Sequence, residues 1–127
     1  MKFARIIFNV AGIYGLIALL PQYFLEGRIG QSSPPAITHP EYFYGFAGVA
    51  IAWQIVFLII ASDPLRFRPL MLAALVEKFP FVISSVLLIA KGRTAMTFAV
   101  PVAIDFILGL LFLISFIKTG KQPAVKA

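Results

Sequence analysis

Five side chains give an otherwise apolar chain the means to do chemistry: Glu77, Lys78 and Asp105, with Gln54 and Asn9 beside them. A charge inside an apolar segment is costly unless it is paired, hydrogen-bonded or protonated. Such residues mark an assembly contact or a route for protons and polar solutes. Glu77 and Lys78 are adjacent, and adjacent residues on a helix point about 100° apart. Each is therefore expected to find its partner on another segment. Lys78 with Asp105 is the natural ion pair, because a lysine stem bridges a difference in depth. Glu77 would then carry a proton, or bond to Gln54 or Asn9. The plainer alternative is an ion pair that only specifies helix register.

Other constellations offer less. The chain has no cysteine, which excludes disulfides, thiolate metal sites and thiol nucleophiles. His39 is its single histidine and lacks a second ligand at metal-binding spacing, so neither a metal nor another cofactor is expected. His39 and Glu41 are spaced as an acid–base pair, but a capping role explains Glu41 without catalysis. No catalytic constellation remains, and the chain is read as a non-enzyme. Trp53, Phe79 and Phe106 fall within apolar runs, where they would pack a core or wall a lipid or quinone pocket.

The elements that must position these residues follow from composition. Of 127 residues, 61% are hydrophobic and 13% charged, with a mean hydropathy of +0.96. A soluble domain carries about 45–50% apolar and about 25% charged residues. A domain this small has no interior large enough to hide the difference. The expected class is an all-α integral membrane protein, one domain over residues 1–127, built as a bundle of four transmembrane helices. The spans are placed at 6–25, 42–62, 70–90 and 95–117, and one outer loop at 26–40, rich in Gly, Ser and Pro. Gly27 is expected to cap the first helix. Thr38-His39-Pro40-Glu41 has the form of a capping box for the second. Pro69 suits the first turn of the third, where a missing N–H costs nothing.

The third run is the marginal one. Its two central charges cost about +5 to +7 kcal/mol on insertion, against about −4 to −7 from its apolar residues. It therefore depends on a partner for those charges. Depths taken from the cytoplasmic ends at the helical rise place Asn9, Gln54, Glu77 and Lys78 about 9–12 Å in, and Asp105 about 18 Å. Each helix thus brings a polar group to within about 18 Å of the cytoplasmic side of a core about 30 Å thick.

Orientation follows from the basic residues. With the N-terminus inside, Lys2, Arg5, Arg66, Arg68, Lys118, Lys121 and Lys126 are cytoplasmic, and Arg28, Lys91 and Arg93 are outside. That bias has the sign of the positive-inside rule and places both termini in the cytoplasm. The net charge of +6 then belongs to the bilayer surface, and the absence of a basic stripe with interleaved aromatics argues against nucleic acid. Small-residue pairs, Gly45, Gly48 and Ala52, Ala11 with Gly15, and Ala99 with Ala103, allow close helix contacts.

The four-run layout is similar to DoxX-type proteins, to sterol-binding four-helix domains, and to small inner-membrane proteins of bacteria, which implies a bacterial cytoplasmic membrane. Disulfide-generating quinone reductases require the cysteines this chain lacks. Small multidrug exporters carry a carboxylate in the first helix, where this chain has only Asn9. The expected function is a non-catalytic accessory or scaffold subunit, with the bilayer and a membrane-protein partner or a second copy as its contacts. The alternatives are a proton-coupled small-solute transporter or channel using Glu77, Lys78 and Asp105, and a lipid- or quinone-binding membrane protein.

Overall fold

A computed structural model describes residues 2–121, so Lys126 of the basic tail lies outside the described residues. Five helices occur among them and no strand: α1 (Lys2–Leu19), α2 (Glu26–Ser32), α3 (Pro40–Ser62), α4 (Arg68–Ala90) and α5 (Ala99–Gly120). Short 3₁₀ turns at Leu20–Phe24 and Met96–Phe98 extend α1 and precede α5. With these turns, four segments are long and apolar enough to cross a membrane: Lys2–Phe24, Pro40–Ser62, Arg68–Ala90 and Met96–Gly120.

Proline sets much of the punctuation. Pro40 and Pro69 occupy first turns of α3 and α4, where no intrahelical N–H is lost. Pro21 falls where α1 passes into its 3₁₀ turn. Pro80 lies inside α4, which continues through it with one donor fewer.

Two local expectations are corrected. The stretch after the first helix is not all loop. Residues 26–32 form α2, whose Glu26 carboxylate lies in the first turn, at the favourable end of the helix dipole. Gly27 is inside α2 and caps nothing. The capping box also fails. α3 starts at Pro40 with His39 as N-cap and no side-chain cap bond. Thr38 is therefore one residue too early and Glu41 one too early in the helix for the reciprocal bonds. The Glu41 carboxylate instead stands 3.5 Å from His39 Nδ1, with both side chains exposed.

Each long helix borders two others: α1 packs on α3 and α5, and α4 packs on α5 and, along a shorter seam, on α3. The apolar core lies at the end where α1 and α4 begin. There Phe8 stacks on Phe112 with centroids 4.3 Å apart, and Phe57 meets Phe112 edge-on at 4.9 Å. Ile60 and Met71 complete this layer, and all five are fully buried. α1 approaches α3 through Gly12 and Gly15. A Cβ at Gly12 would stand 2.8 Å from the Leu58 side chain, and one at Gly15 would collide with the Gln54 carboxamide. Gly45, Gly48 and Ala52 face outward instead.

The surface inverts the soluble pattern. Ile17, Val49, Val76, Ile83 and Val100 are mostly exposed, whereas Gln54, Lys78, Ser85, Ser115 and Thr119 are buried.

Arg68 ties the core end together. Its Nε and Nη2 donate to the Phe116 carbonyl at 3.1 and 3.0 Å, and its Nε also donates to Thr119 Oγ1 at 3.2 Å. The guanidinium lies 3.8 Å from the Phe116 ring centroid. A cation thus satisfies a carbonyl in the last turns of α5, where the helix dipole also favours it. Arg68→Lys is expected to lower stability by about 1–2 kcal/mol, because a single ammonium cannot reproduce the fork or the ring contact. Detergent-unfolding midpoints of the two proteins check this, and an unchanged midpoint would refute the tie.

Candidate functional site

Above the aromatic layer the interior turns polar. Lys78 leaves α4 toward the axis, and its Nζ stands 3.1 Å from Asp105 Oδ1 on α5 and 3.4 Å from Glu77 Oε2 on its own helix. The same ammonium is 5.4 Å from the centroid of the Phe57 ring, so the aromatic core forms its floor. The Lys78 side chain is 6% exposed, against 19% for Glu77 and 22% for Asp105. The cation is therefore the deepest member of the cluster, with a carboxylate on either side.

The contact between Glu77 and Lys78 differs from the expectation for neighbours. Their Cβ directions diverge by one helical step, but the four-carbon lysine stem folds back far enough to bring its head beside both acids. That contact is an ion pair without hydrogen-bond geometry. Glu77 Oε2 is buried and accepts no hydrogen bond from the described residues.

Gln54 on α3 completes the constellation. It is buried, and its Nε2 donates to the Ala50 carbonyl one turn earlier at 2.8 Å. Its Oε1 end is accommodated only because Gly15 has no side chain. Gln54 and the three charged residues line one cavity of about 180 Å³. The cavity extends away from the core, past Tyr14 and Phe81, toward Gln22 and Phe98 at the end where α5 begins. A second space of similar size, about 180 Å³, opens along the α3–α4 seam beside Trp53 and reaches Glu77 and Asp105. The charges are thus approached from one end and one side, and the core closes the other end.

Asn9 is not part of this cluster. The inward stripe of α1 runs through Phe8, Ala11, Gly12, Gly15 and Leu19, all buried. Asn9 lies one helical step off that stripe and is exposed. Nor do the three aromatics converge on one pocket. Trp53 walls the α3–α4 space, and Phe106 lines a separate groove between α4 and α5. Phe79 stands edge-on to Phe106, with ring centroids 6.5 Å apart, over Gly109. They sit on three different helices, and turns of sequence do not reveal which seam each one enters.

Two contributors escape sequence reasoning. Gly15 was legible as a small residue, but its meaning lies in the carboxamide opposite. Arg68 looked like a topology signal, and only the return of α5 to the same end of the molecule gives it a carbonyl to hold.

Around the cluster the described residues include no group of three His, Cys, Asp or Glu side chains able to hold a metal. The cluster itself offers an ammonium between two carboxyl groups in a cavity between apolar helices. No family model, curated protein or solved structure matches the chain. Fold and site together define a class: an all-helical protein with four long apolar helices and a charged cavity among them.

Proposed function

We propose that this chain is a four-helix bundle integral to a bacterial cytoplasmic membrane, with both termini inside, and that it works as a proton-coupled carrier of small solutes. The outward-facing Ile and Val side chains, with polar groups turned inward, support the membrane reading, because in hydrocarbon the polar groups must be satisfied within the protein. The bias of basic residues supports the orientation.

The observation that carries the proton reading is the ratio of charges. Two carboxylates share one ammonium, and a register-fixing ion pair needs only one. Leaving the second carboxylate ionised in a low-dielectric interior costs several kcal/mol. Glu77, whose buried oxygen accepts no hydrogen bond, is the group that holds a proton and releases it when the cavity is occupied or rehydrated. Closure at the aromatic end supports a carrier, which alternates its access, over an open channel.

The test uses proteoliposomes with an entrapped pH dye and an imposed pH gradient, screened against amines, amino acids, carboxylates and sugars. At least one class is expected to collapse the gradient. Glu77→Gln, with its helical content retained, is expected to slow that collapse to the rate of protein-free vesicles. A gradient indifferent to every class, or a collapse that survives Glu77→Gln, would sink the carrier reading.

An accessory-subunit role has one specific observation in its favour. Between the four long segments the described residues offer only α2 and short connections, so most of their surface is helix face that a membrane partner could cover. Native mass spectrometry from gently solubilised membranes separates the two readings: a stoichiometric protein partner supports the accessory role, and a lone protein or homo-oligomer supports the carrier.

A further inference from the structure

A wider space lies away from the cluster, on the face between α4 and α5. It is a groove of about 540 Å³ lined only by apolar side chains, among them Val86, Ile89, Met96, Ala99, Ala103 and Phe106. That volume falls in the range of small-molecule sites, which are about 300–1,000 Å³. Its shape has a sequence origin. Ala99 and Ala103, one turn apart on α5, leave room beside the larger Val86 of α4 and Phe106 of α5, which also line it. Val86, Met96 and Phe106 remain exposed, so the groove opens outward.

The end of this groove is charged in one sense only. Between Phe79 and Ile104 the only charged residues are Lys91 and Arg93, in the turn that joins the two helices. Both are exposed, and neither forms an ion pair among the described residues. Their backbone is held firmly. Gly92 N–H donates to the Ile89 carbonyl at 3.0 Å and Arg93 N–H to the Leu88 carbonyl at 2.9 Å, the paired bonds of a Schellman turn. Gly92 has φ +70°, which a glycine adopts without strain. The backbone that carries two cations is therefore fixed where α4 ends, within three residues of Ala90, which lines the groove. The two cations also run against the charge bias that assigns this end to the outer face, so topology alone does not explain them.

An apolar trough capped by two unpaired cations has the complement of one molecule: an acyl chain ending in a phosphate. We propose that this groove binds an anionic phospholipid, with an acyl chain between α4 and α5 and its phosphate held by Lys91 and Arg93. Anionic headgroups attract each nearby basic residue in addition to the apolar contact, which makes the site selective among lipids. The inference rests on the membrane reading and is independent of the Glu77 proton.

The test is native mass spectrometry of the full chain in detergent, equilibrated with equal amounts of phosphatidylglycerol and phosphatidylcholine. Resistance of the protein to alkaline carbonate in its source membranes reads insertion separately. Bound phosphatidylglycerol is expected to exceed phosphatidylcholine. In a K91Q/R93Q double variant the ratio is expected to fall by about 30-fold, from the loss of two headgroup contacts. Lys121→Gln, at the opposite end, should leave the ratio unchanged. Ala103→Phe, which fills the trough and keeps both cations, should abolish retention of either lipid. Retention without headgroup preference, a preference that survives the double variant, unchanged retention in Ala103→Phe, or a copurifying protein that excludes lipid would each overturn the proposal.

Discussion

Lys78→Met is expected to destabilise the protein by about 3–5 kcal/mol, the largest single effect among the cluster residues, because it leaves the Asp105 carboxylate without its cation in a low-dielectric interior beside a second carboxyl group. Asp105→Asn should cost clearly less. Lys78 then keeps Glu77 at 3.4 Å, and that carboxyl becomes its counter-charge by giving up its proton. Glu77→Gln should cost least of the three, since the shorter Lys78–Asp105 bond of 3.1 Å remains. The triple variant Glu77→Gln, Lys78→Met, Asp105→Asn should recover most of the loss caused by Lys78→Met alone, because removing a whole buried charge set is far milder than orphaning part of it. Unfolding in mixed detergent with increasing sodium dodecyl sulfate, followed by circular dichroism, ranks the four proteins. Additive losses, or equal damage from all three single variants, would show that the side chains do not act as one unit.

The second large effect is expected at Phe112. Its ring is fully buried, stacked on Phe8 at 4.3 Å and edge-on to Phe57 at 4.9 Å. In a soluble core, Phe→Ala costs about 3–5 kcal/mol. Helix association in lipid lacks the transfer term from water, so the loss comes from contacts and the cavity left behind. We therefore expect about 3 kcal/mol for Phe112→Ala, at the low end of the soluble range. The same change removes part of the layer that closes the charged cavity at the core end. Proteoliposomes carrying Phe112→Ala should lose a pH gradient without any added solute, whereas wild-type vesicles hold it. Phe106→Ala, at a residue that is 45% exposed, serves as the control and should alter neither reading appreciably. Wild-type tightness in Phe112→Ala vesicles would show that the aromatic layer is not the barrier.

The cluster and the layer beneath it have different origins in the chain. Glu77 and Lys78 interrupt an apolar run, so their need for a partner is visible in the sequence, and Asp105 is the one acid within another run. The pairing of Lys78 with Asp105 follows almost by elimination. How the ammonium divides itself between two acids does not follow, because it depends on the path of a flexible stem and on the Phe57 ring below it. The assembly of Phe8, Phe57 and Phe112 is likewise invisible: the sequence has 13 phenylalanines, and nothing local separates these three from the rest.

What the sequence determines by itself is the number, length and apolarity of the long helices, since these depend on runs of adjacent residues and on where proline and charge interrupt them. It also determines that the third run cannot stand alone. The tertiary structure alone decides which face of each helix turns inward. α3 and α4 are apolar nearly all round and carry no strong local signal for their buried side. On α1, Asn9 falls one step off the buried stripe and outside the cluster, while Gly15, which has no side chain, sets the fit of Gln54. Likewise Arg68 has no readable role until α5 returns to it, and Ala99 and Ala103 are an ordinary spacing until α4 makes them part of a groove.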